Sequence, residues 1–399
     1  MNYFFLIMLA IQTTLGAYLG LRFRWAFGVV LPPRLMAWYV FWPTVAFIIM
    51  SFPLVHFATR KLCMELPPWL FFATAVLYGA LVLGFATVFI VDVLGLIARR
   101  LPFLQTACAY VRYHPHHLGF LVLGVVALQV VWGLHRAHTP RETHFSPTVH
   151  KPLKNGAKQL RIVQLSDLHI SHYSSATLMQ EMVSHVNRLQ PDVIVITGDI
   201  IDSSVKPYFN QEMPRILGEL KSRYGVYATM SNHDYYGESP KLNIDAYVRS
   251  NMRVLRDEVL YLDEPGVTLI GRDDWILDSR RLPPSVSLDV TENRAPLAAL
   301  TARADPATPW ILLDHQPREI DEPVAQKIDL QFSGHTHGGQ FFPINLIVKH
   351  LYKNPWGLLT QGTYSLIVTC GFGTWGPPLR FPSYPEIVVA DVLFQSSHP

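Results

Sequence analysis

Cysteine is scarce in this chain, with three in 399 residues. Cys63 and Cys108 fall in the apolar first third, and Cys370 stands alone in the remainder. The remainder can therefore form no internal disulfide, and it lacks the thiols of a structural zinc site. Charge is scarce as well. Asp, Glu, Lys and Arg make up 16% of residues and the net charge is +3, too little to present a basic surface to nucleic acid. There is no internal repeat and no low-complexity run. What the chain has in quantity is apolar side chain, 50% of residues with a mean hydropathy of +0.20, and the excess sits almost entirely before residue 136.

Four apolar stretches in that first part, about 3–20, 36–57, 69–97 and 118–135, approach or exceed the roughly 20 residues a helix needs to cross a bilayer. Arginines bracket them, and Trp38, Trp69 and Trp132 stand near their ends as interface anchors do. The first stretch starts without Lys or Arg and is followed by no clear small-residue cleavage site, so it reads as a retained helix rather than a signal peptide. Asp92 inside the third stretch reads as an interface or helix-packing residue, and His114-Pro115-His116-His117 as a loop before the fourth helix. The loops at 21–35 and 98–117 carry six Lys or Arg, against Arg60, Lys61, Arg136 and Arg141 on the other side. The positive-inside rule thus leans toward a multi-pass cell-membrane protein whose C-terminal part lies outside the cytoplasm. Counting Lys151 and Lys154 would erase that margin.

Residues 138–158 contain Pro140, Pro147, Pro152 and Gly156 without an apolar period, and read as a linker. Beyond them the pattern alternates: strands near 161–166, 193–197 and 225–230, with helices near 176–189, 210–222 and 241–249. Shorter apolar segments near 253–255, 259–262 and 267–270 suggest a strand meander, and strands near 310–313, 328–332, 364–369 and 386–393 complete the set. The expected fold class is α/β, two packed sheets flanked by helices in an αββα sandwich, behind an all-α four-helix transmembrane region. The expected organisation is 1–137 transmembrane, 138–158 linker and 159–399 catalytic domain.

Candidate ligands stand just after five of the apolar runs. Asp167-Leu168-His169 follows Arg161–Leu165, and Gly198-Asp199 follows Val193–Thr197. Asn232-His233-Asp234 follows Val226–Met230, His315 follows Trp310–Leu313, and Gly334-His335-Thr336-His337 follows Ile328–Phe332. Strand C-terminal ends are where an α/β sheet places its site. Carboxylates mixed with imidazoles suit Mn, Fe, Zn or similar divalent ions rather than Ca or a thiolate cluster. Each piece alone is weak, since a lone Gly-Asp or Asp-x-His is more often a cap or a turn. All five in order, each leaving an apolar strand, point to two metal ions and to a hydrolase.

These blocks, with Gly198-Asp199-Ile200-Ile201-Asp202 and Gly334-His335-Thr336-His337-Gly338-Gly339-Gln340 written out in full, resemble the calcineurin-like metallophosphoesterases from about Arg161 to Val392. The likeness is greatest to a bacterial membrane-associated branch, whose final block is similar to Gly371–Pro378, Arg380 and Pro385-Glu386-Ile387. The resemblance implies two divalent metal ions (Mn, Fe or Zn): one bound by Asp167, His169 and His337, the other by Asn232, His315 and His335, with Asp199 bridging. Such a pair binds phosphoryl oxygens and a shared hydroxide that attacks phosphorus in line. His233 would protonate the departing alkoxide, held in place by Asp234. The family usually has glycine where this chain has Ser231, and a positive φ there would cost serine more than glycine.

The implied activity is hydrolysis of a phosphodiester, phosphomonoester or pyrophosphate, on a substrate that the membrane anchor suggests is lipid-linked. Relatives in that branch include phosphodiesterases and hydrolases of UDP-2,3-diacylglucosamine. The alternatives are a non-catalytic membrane sensor or scaffold and a protein phosphatase of the same chemistry. Asp202 reads equally as support for the Asp199 loop and as a helix cap, and Asp273 and Asp274 read as turn residues. His172 is a loop histidine near the site. The apolar segment 341–356 is expected to be a helix or hairpin on the core or, more sharply, a lip resting on the bilayer.

Overall fold

A computed structural model of the chain describes residues 3–62, 64–237, 239–277 and 293–395, without the side chains of 3–8, 60 and 61; Cys63 lies outside them. The chain divides into two units, one of Met1–His135 with Gly376–Phe381, the other of Arg136–Trp375 with Pro382–Pro399.

The first unit is helical because its segments are apolar on every side, as buried or membrane helices are. Long helices run over Tyr3–Phe27, Trp38–Lys61, Pro68–Ala98 and Pro115–Ala137, with shorter ones at Pro33–Met36 and Gln105–Tyr113. Pro68 begins its helix at a position where its missing N–H costs nothing. Among the described residues three helices are long and apolar enough to cross a membrane: Trp38–Thr59, Pro68–Ala98 and Pro115–Ala137. Asp92 is paired within this unit, accepting from the Arg22 Nε–H at 2.7 Å and from the Tyr18 hydroxyl. Only His114 of the histidine run is a break; His116 and His117 lie in the first turn of the last helix. In the same unit the Arg380 N–H donates to the Gly133 carbonyl at 3.1 Å, and Leu379 packs against Gly79.

The second unit is built on two sheets. Its strands are β1 (Arg141–Phe145), β2 (Thr148–Val149), β3 (Gln159–Leu165), β4 (Val193–Ile196), β5 (Val226–Thr229), β6 (Arg253–Leu255), β7 (Glu258–Leu262), β8 (Val267–Gly271), β9 (Trp310–Leu313), β10 (Leu330–Ser333), β11 (Gly357–Gln361), β12 (Tyr364–Val368) and β13 (Glu386–Phe394). One sheet runs β1-β13-β3-β4-β5-β6, with β2 beside β13; the other runs β11-β12-β10-β9-β8-β7. Each has a parallel centre, β3 to β6 and β8-β9-β10-β12. In β4 the alternation of side chains sends Val193 and Val195 into one core cluster with Ile311, Leu313 and Phe332 of the other sheet. Ile194 and Ile196 point the opposite way, into a cluster with the helix Ala176–Arg188. That helix buries Met179, Met182, Val183 and Val186 at helical spacing, and the Ser175 hydroxyl caps it by accepting from the Leu178 N–H at 3.2 Å. The result is the α/β two-sheet fold expected.

Three local expectations change. The segment 138–158 contains β1 and β2, which pair with β13 in parallel, so it is part of the sheet rather than a free connection. The helix expected near 210–222 is two short ones, Val205–Asn210 and Met213–Leu217, because Glu212 takes φ +54° and Pro214 follows. The 253–255 strand joins β5 in parallel instead of forming a meander with β7. Within 341–356 the chain forms the helix Ile344–Leu351, one of the forms expected there.

Candidate metal centre and active site

Five strand ends converge. β3 leads to Asp167 and His169, β4 to Asp199, β5 to Asn232 and His233, β9 to His315, and β10 to His335 and His337. The chain leaves these strands through strained turns: Asp167, His169, Asp199, His335 and His337 all have φ between +43° and +70°. Left-handed backbone at non-glycine residues costs roughly 1–2 kcal/mol each, and such strain gathers at functional sites. Two glycines let the turns close. A Cβ at Gly198 (φ +81°) would lie 2.6 Å from His315 Nδ1, and one at Gly334 would lie 2.0 Å from Ser166 Oγ and 2.4 Å from Asp167 Oδ2.

Three overlapping groups each bring one donor atom per residue within 4.8 Å of the others: Asp167, His169 and His337; His169, Asp199 and His233; Asp199, His315 and His335. Asp199 belongs to two of them. The His169 and His337 Nε2 atoms are 3.0 Å apart, and His335 Nδ1 is 3.3 Å from His315 Nε2. Nitrogens bound to one cation at about 2.0–2.1 Å stand roughly 3.0–3.4 Å from each other at ordinary coordination angles. Asp199 Oδ2 lies 3.4 Å from His169 Nε2 and 3.3 Å from His315 Nε2, and Asp167 Oδ1 lies 3.4 Å from His337 Nε2. Asn232 is 6% exposed, and its buried Oδ1 has no hydrogen-bond partner. An orphaned buried carbonyl oxygen asks for an explanation, and a cation is the partner its lone pairs suit. The donor set and spacing therefore fit a pair of divalent ions, as the fold family implies.

Groups behind the donors fix the rings. The His315 Nδ1–H donates to the Thr197 carbonyl at 2.7 Å, and His169 Nδ1 lies 3.2 Å from Asp202 Oδ1. Both rings thus keep Nε2 turned to the cluster. The His233 Nδ1–H donates to the Asp202 carbonyl at 2.6 Å, with the Asp202 carboxylate 3.5 Å away.

Charge is finely divided here. Burial opposes the Asp199 carboxylate, yet the imidazoles of His315, His233 and His169 hold it well below the usual range. Burial pushes Asp167 up. Burial and the neighbouring His315 hold His335 well below the ordinary imidazole value, which favours the neutral ring that a cation needs. His315 is pushed up to about 10 against its burial, by Asp199 first. His233 is raised by Asp199 and Asp202, again against burial.

Asp234 takes a different place from the one expected. Its carboxylate accepts from the Ser231 N–H and hydroxyl at 2.8 Å, from Asn243 Nδ2 at 2.8 Å and from the Tyr247 hydroxyl at 2.6 Å. That is a capping box for the Asn232–Tyr236 turn; the acid facing His233 is Asp202. Ser231 has φ −145°, extended backbone, so no glycine is required. Its hydroxyl accepts from the Asp199 N–H at 2.8 Å. Asp273 and Asp274 are buried and bonded rather than surface turn residues. Asp273 takes Tyr235 and Arg256, both at 2.5 Å, and Asp274 takes Gln316 Nε2 at 2.9 Å. His172 is half-buried in the turn after β3.

An aromatic rim escaped the sequence reading. The Tyr236 and Trp375 rings lie 5.7 and 6.5 Å from His233, and Tyr352 lies 6.1 Å from His335, with Arg318 stacked on it at 5.1 Å. Trp375 and Tyr352 lie in segments the sequence marks, 371–378 and 341–356, but nothing local joins them to Tyr236 and Arg318. Glu386, in the block near the C-terminus, is buried and accepts from Thr369 Oγ1 at 2.7 Å and the Cys370 N–H at 2.8 Å, tying down the loop after β12.

The calcineurin-like phosphoesterase family model matches residues 160–339. A transmembrane protein with a metallophosphoesterase domain from Danio rerio is 35% identical over 282 residues, 67% of this chain and 61% of that one. An uncharacterized metallophosphoesterase of Helicobacter pylori is 34% identical over 59% of this chain and 60% of its own. The chain thus spans about three-fifths of the length of both. An uncharacterized metallophosphoesterase of Aquifex aeolicus is 32% identical over 238 residues, 59% of this chain and 85% of the relative. Among solved structures, a dimetal phosphatase from Danio rerio aligns at 14% identity over 53% of this chain and 87% of its own, with a TM-score of 0.32, too distant a likeness to bear on function. With a match of 32% that takes in 85% of the Aquifex protein, and the family's own pattern over 160–339, the chain belongs to the calcineurin-like phosphoesterase family.

Proposed function

We propose that this chain is a membrane-anchored, metal-dependent phosphoesterase that cleaves a phosphodiester, phosphomonoester or pyrophosphate bond on a lipid-linked substrate. The observation that carries the reading is the convergence of two donor groups on one shared carboxylate, Asp199, with His233 beside them. Asp167, His169 and His337 would hold one divalent ion, and Asn232, His315 and His335 the other. Two such cations supply Lewis acidity to the phosphoryl oxygens and lower the pKa of water.

The chain's own groups do the rest. His233, anchored through Nδ1 on the Asp202 carbonyl, presents Nε2 as the proton donor to the leaving alkoxide. Asp199 and Asp202 raise its pKa against its burial and so favour the protonated ring. Asp202 also steadies His169, coupling the proton donor to a metal ligand. Tyr236 and Trp375, beside His233, and Tyr352, beside His335, would contact the organic part of the substrate. Three candidate spans and a transmembrane relative fit a membrane protein; the lipid link is inferred from that anchoring, and the extracytoplasmic side from the arginine count. A non-catalytic scaffold would have no reason to keep every donor.

The test is hydrolysis of bis-p-nitrophenyl phosphate by detergent-purified full chain, stripped of metal and resupplied with Mn²⁺. Activity restored by the ion and lost in Asp199→Ala is the expected result, with His233→Ala losing activity on an alkyl phosphodiester, whose leaving group needs a proton. A resupplied wild type no faster than Asp199→Ala would defeat the reading.

A further inference from the structure

The helix Ile344–Leu351 follows the Gly338-Gly339-Gln340 turn, and its Asn345 packs on Gly339, two residues from His337. Amphipathic helices of soluble proteins turn their apolar arc inward. This one does not. Asn345 is the buried residue, whereas Leu346, Ile347 and Leu351 are 55%, 56% and 67% exposed. Trp356 and Trp375 are large exposed apolar side chains in the segments that follow, and the Trp375 N–H and carbonyl both bond the Gln340 side chain, so rim and turn are one piece.

We propose that Ile344–Leu351, with Trp356 and Trp375, forms a lip that inserts into the surface of a lipid bilayer beside the metal centre. Chain continuity supports a bilayer as the occupant. The candidate span Pro115–Ala137 ends three residues before β1 begins at Arg141. Trp375 is bonded directly to Gly376–Phe381, a stretch that groups with the helical unit. The chain thus runs within a few residues from a candidate span into this unit, and again from Trp375 into a stretch of the helical unit. Charge agrees: Lys349 occupies the last turn, where a cation complements anionic headgroups. A lip attached to the turn that bears His337 would deliver a phosphoester at headgroup depth without drawing its acyl chains into water. The inference rests on the membrane anchoring proposed above and not on the chemistry.

The experiment uses full chain in phosphatidylethanolamine–phosphatidylglycerol vesicles, with Cys63, Cys108 and Cys370 replaced by alanine. A bimane label is placed at Ile347→Cys, at Leu128→Cys on the candidate span Pro115–Ala137, and at Asp263→Cys, a side chain 79% exposed in the β7–β8 turn, at the strand ends opposite the donors. Lipids carrying a nitroxide near the top of the acyl chain should quench the label at 347 almost as strongly as at 128, and barely at 263. Quenching at 347 no greater than at 263, with 128 quenched, overturns the lip. So does a disulfide between two copies at 347, which would make a second copy the occupant. An unquenched 128 would instead overturn the anchoring. In the wild-type background, Ile347→Ser with Leu351→Ser should slow hydrolysis of vesicle-embedded phosphodiester and leave bis-p-nitrophenyl phosphate turnover unchanged; equal loss on both substrates would also count against the lip, and it needs no label.

Discussion

In an Asp234→Asn variant, four hydrogen bonds in a dry site change at once. The carboxylate, in a residue 1% exposed, accepts from Ser231 N–H, Ser231 Oγ, Asn243 Nδ2 and Tyr247 Oη. Asparagine keeps one acceptor for Asn243 and Tyr247 but turns an amide toward the Ser231 N–H, donor against donor. One buried donor left unsatisfied costs about 1–3 kcal/mol, which in a domain of about 150–250 residues lowers Tm by roughly 2–12 °C. The His233 ring is unaffected, since its Nδ1–H rests on the Asp202 carbonyl at 2.6 Å. Turnover measured well below the melting transition should therefore stay within about tenfold of wild type, whereas removing a general acid costs about 10²–10⁴-fold. The assay pairs thermal unfolding in detergent with hydrolysis of an alkyl phosphodiester at low temperature. An unchanged Tm with a hundredfold or greater loss of kcat would refute the reasoning and return Asp234 to the chemistry.

Three further outcomes follow from the same geometry. Asp202→Asn keeps the backbone acceptor of His233 but weakens the support of His169, so activity or metal affinity should fall about 10–100-fold, and excess Mn²⁺ should recover part of it; a loss equal to that of His233→Ala would show that the carboxylate itself is indispensable. Ser231→Gly removes the acceptor of the buried Asp199 N–H and should destabilise the fold by about 1–3 kcal/mol, although glycine is the family's usual residue there; a raised Tm would contradict this. His233→Ala should slow an alkyl phosphodiester far more than bis-p-nitrophenyl phosphate, because p-nitrophenolate leaves without a proton. Equal losses on the two would remove His233 as the acid.

The central strands were legible because parallel strands buried on both faces read as short continuous apolar runs, and β4, Val-Ile-Val-Ile, is the clearest. The donor residues were legible because each stands within a few positions of such a run. What stayed hidden depends on contacts between distant segments. Asp234 follows His233 in sequence, yet only the folded turn shows its side chain swinging back to Ser231. Asp202 meets His169 and His233 across 33 and 31 positions. β1, Arg-Glu-Thr-His-Phe, lacks an apolar alternation because it is a largely exposed edge strand held by main-chain pairing with β13. In the helix Ile344–Leu351 the apolar content was visible, but sequence cannot say which way an apolar arc points. The break at Glu212 had a signal in Pro214, two residues on.

The central claim is that two donor groups sharing Asp199 hold two divalent ions and that hydrolysis depends on both. Metal content of purified full chain, measured by mass spectrometry after saturation with Mn²⁺ and removal of free ion, tests it directly when activity is followed on the same samples. Wild type should carry two more equivalents than a variant lacking Asp167, Asp199 and His335, and His335→Ala alone should lose one equivalent together with activity. Wild-type activity in a preparation that holds no more metal than the triple variant would contradict the account.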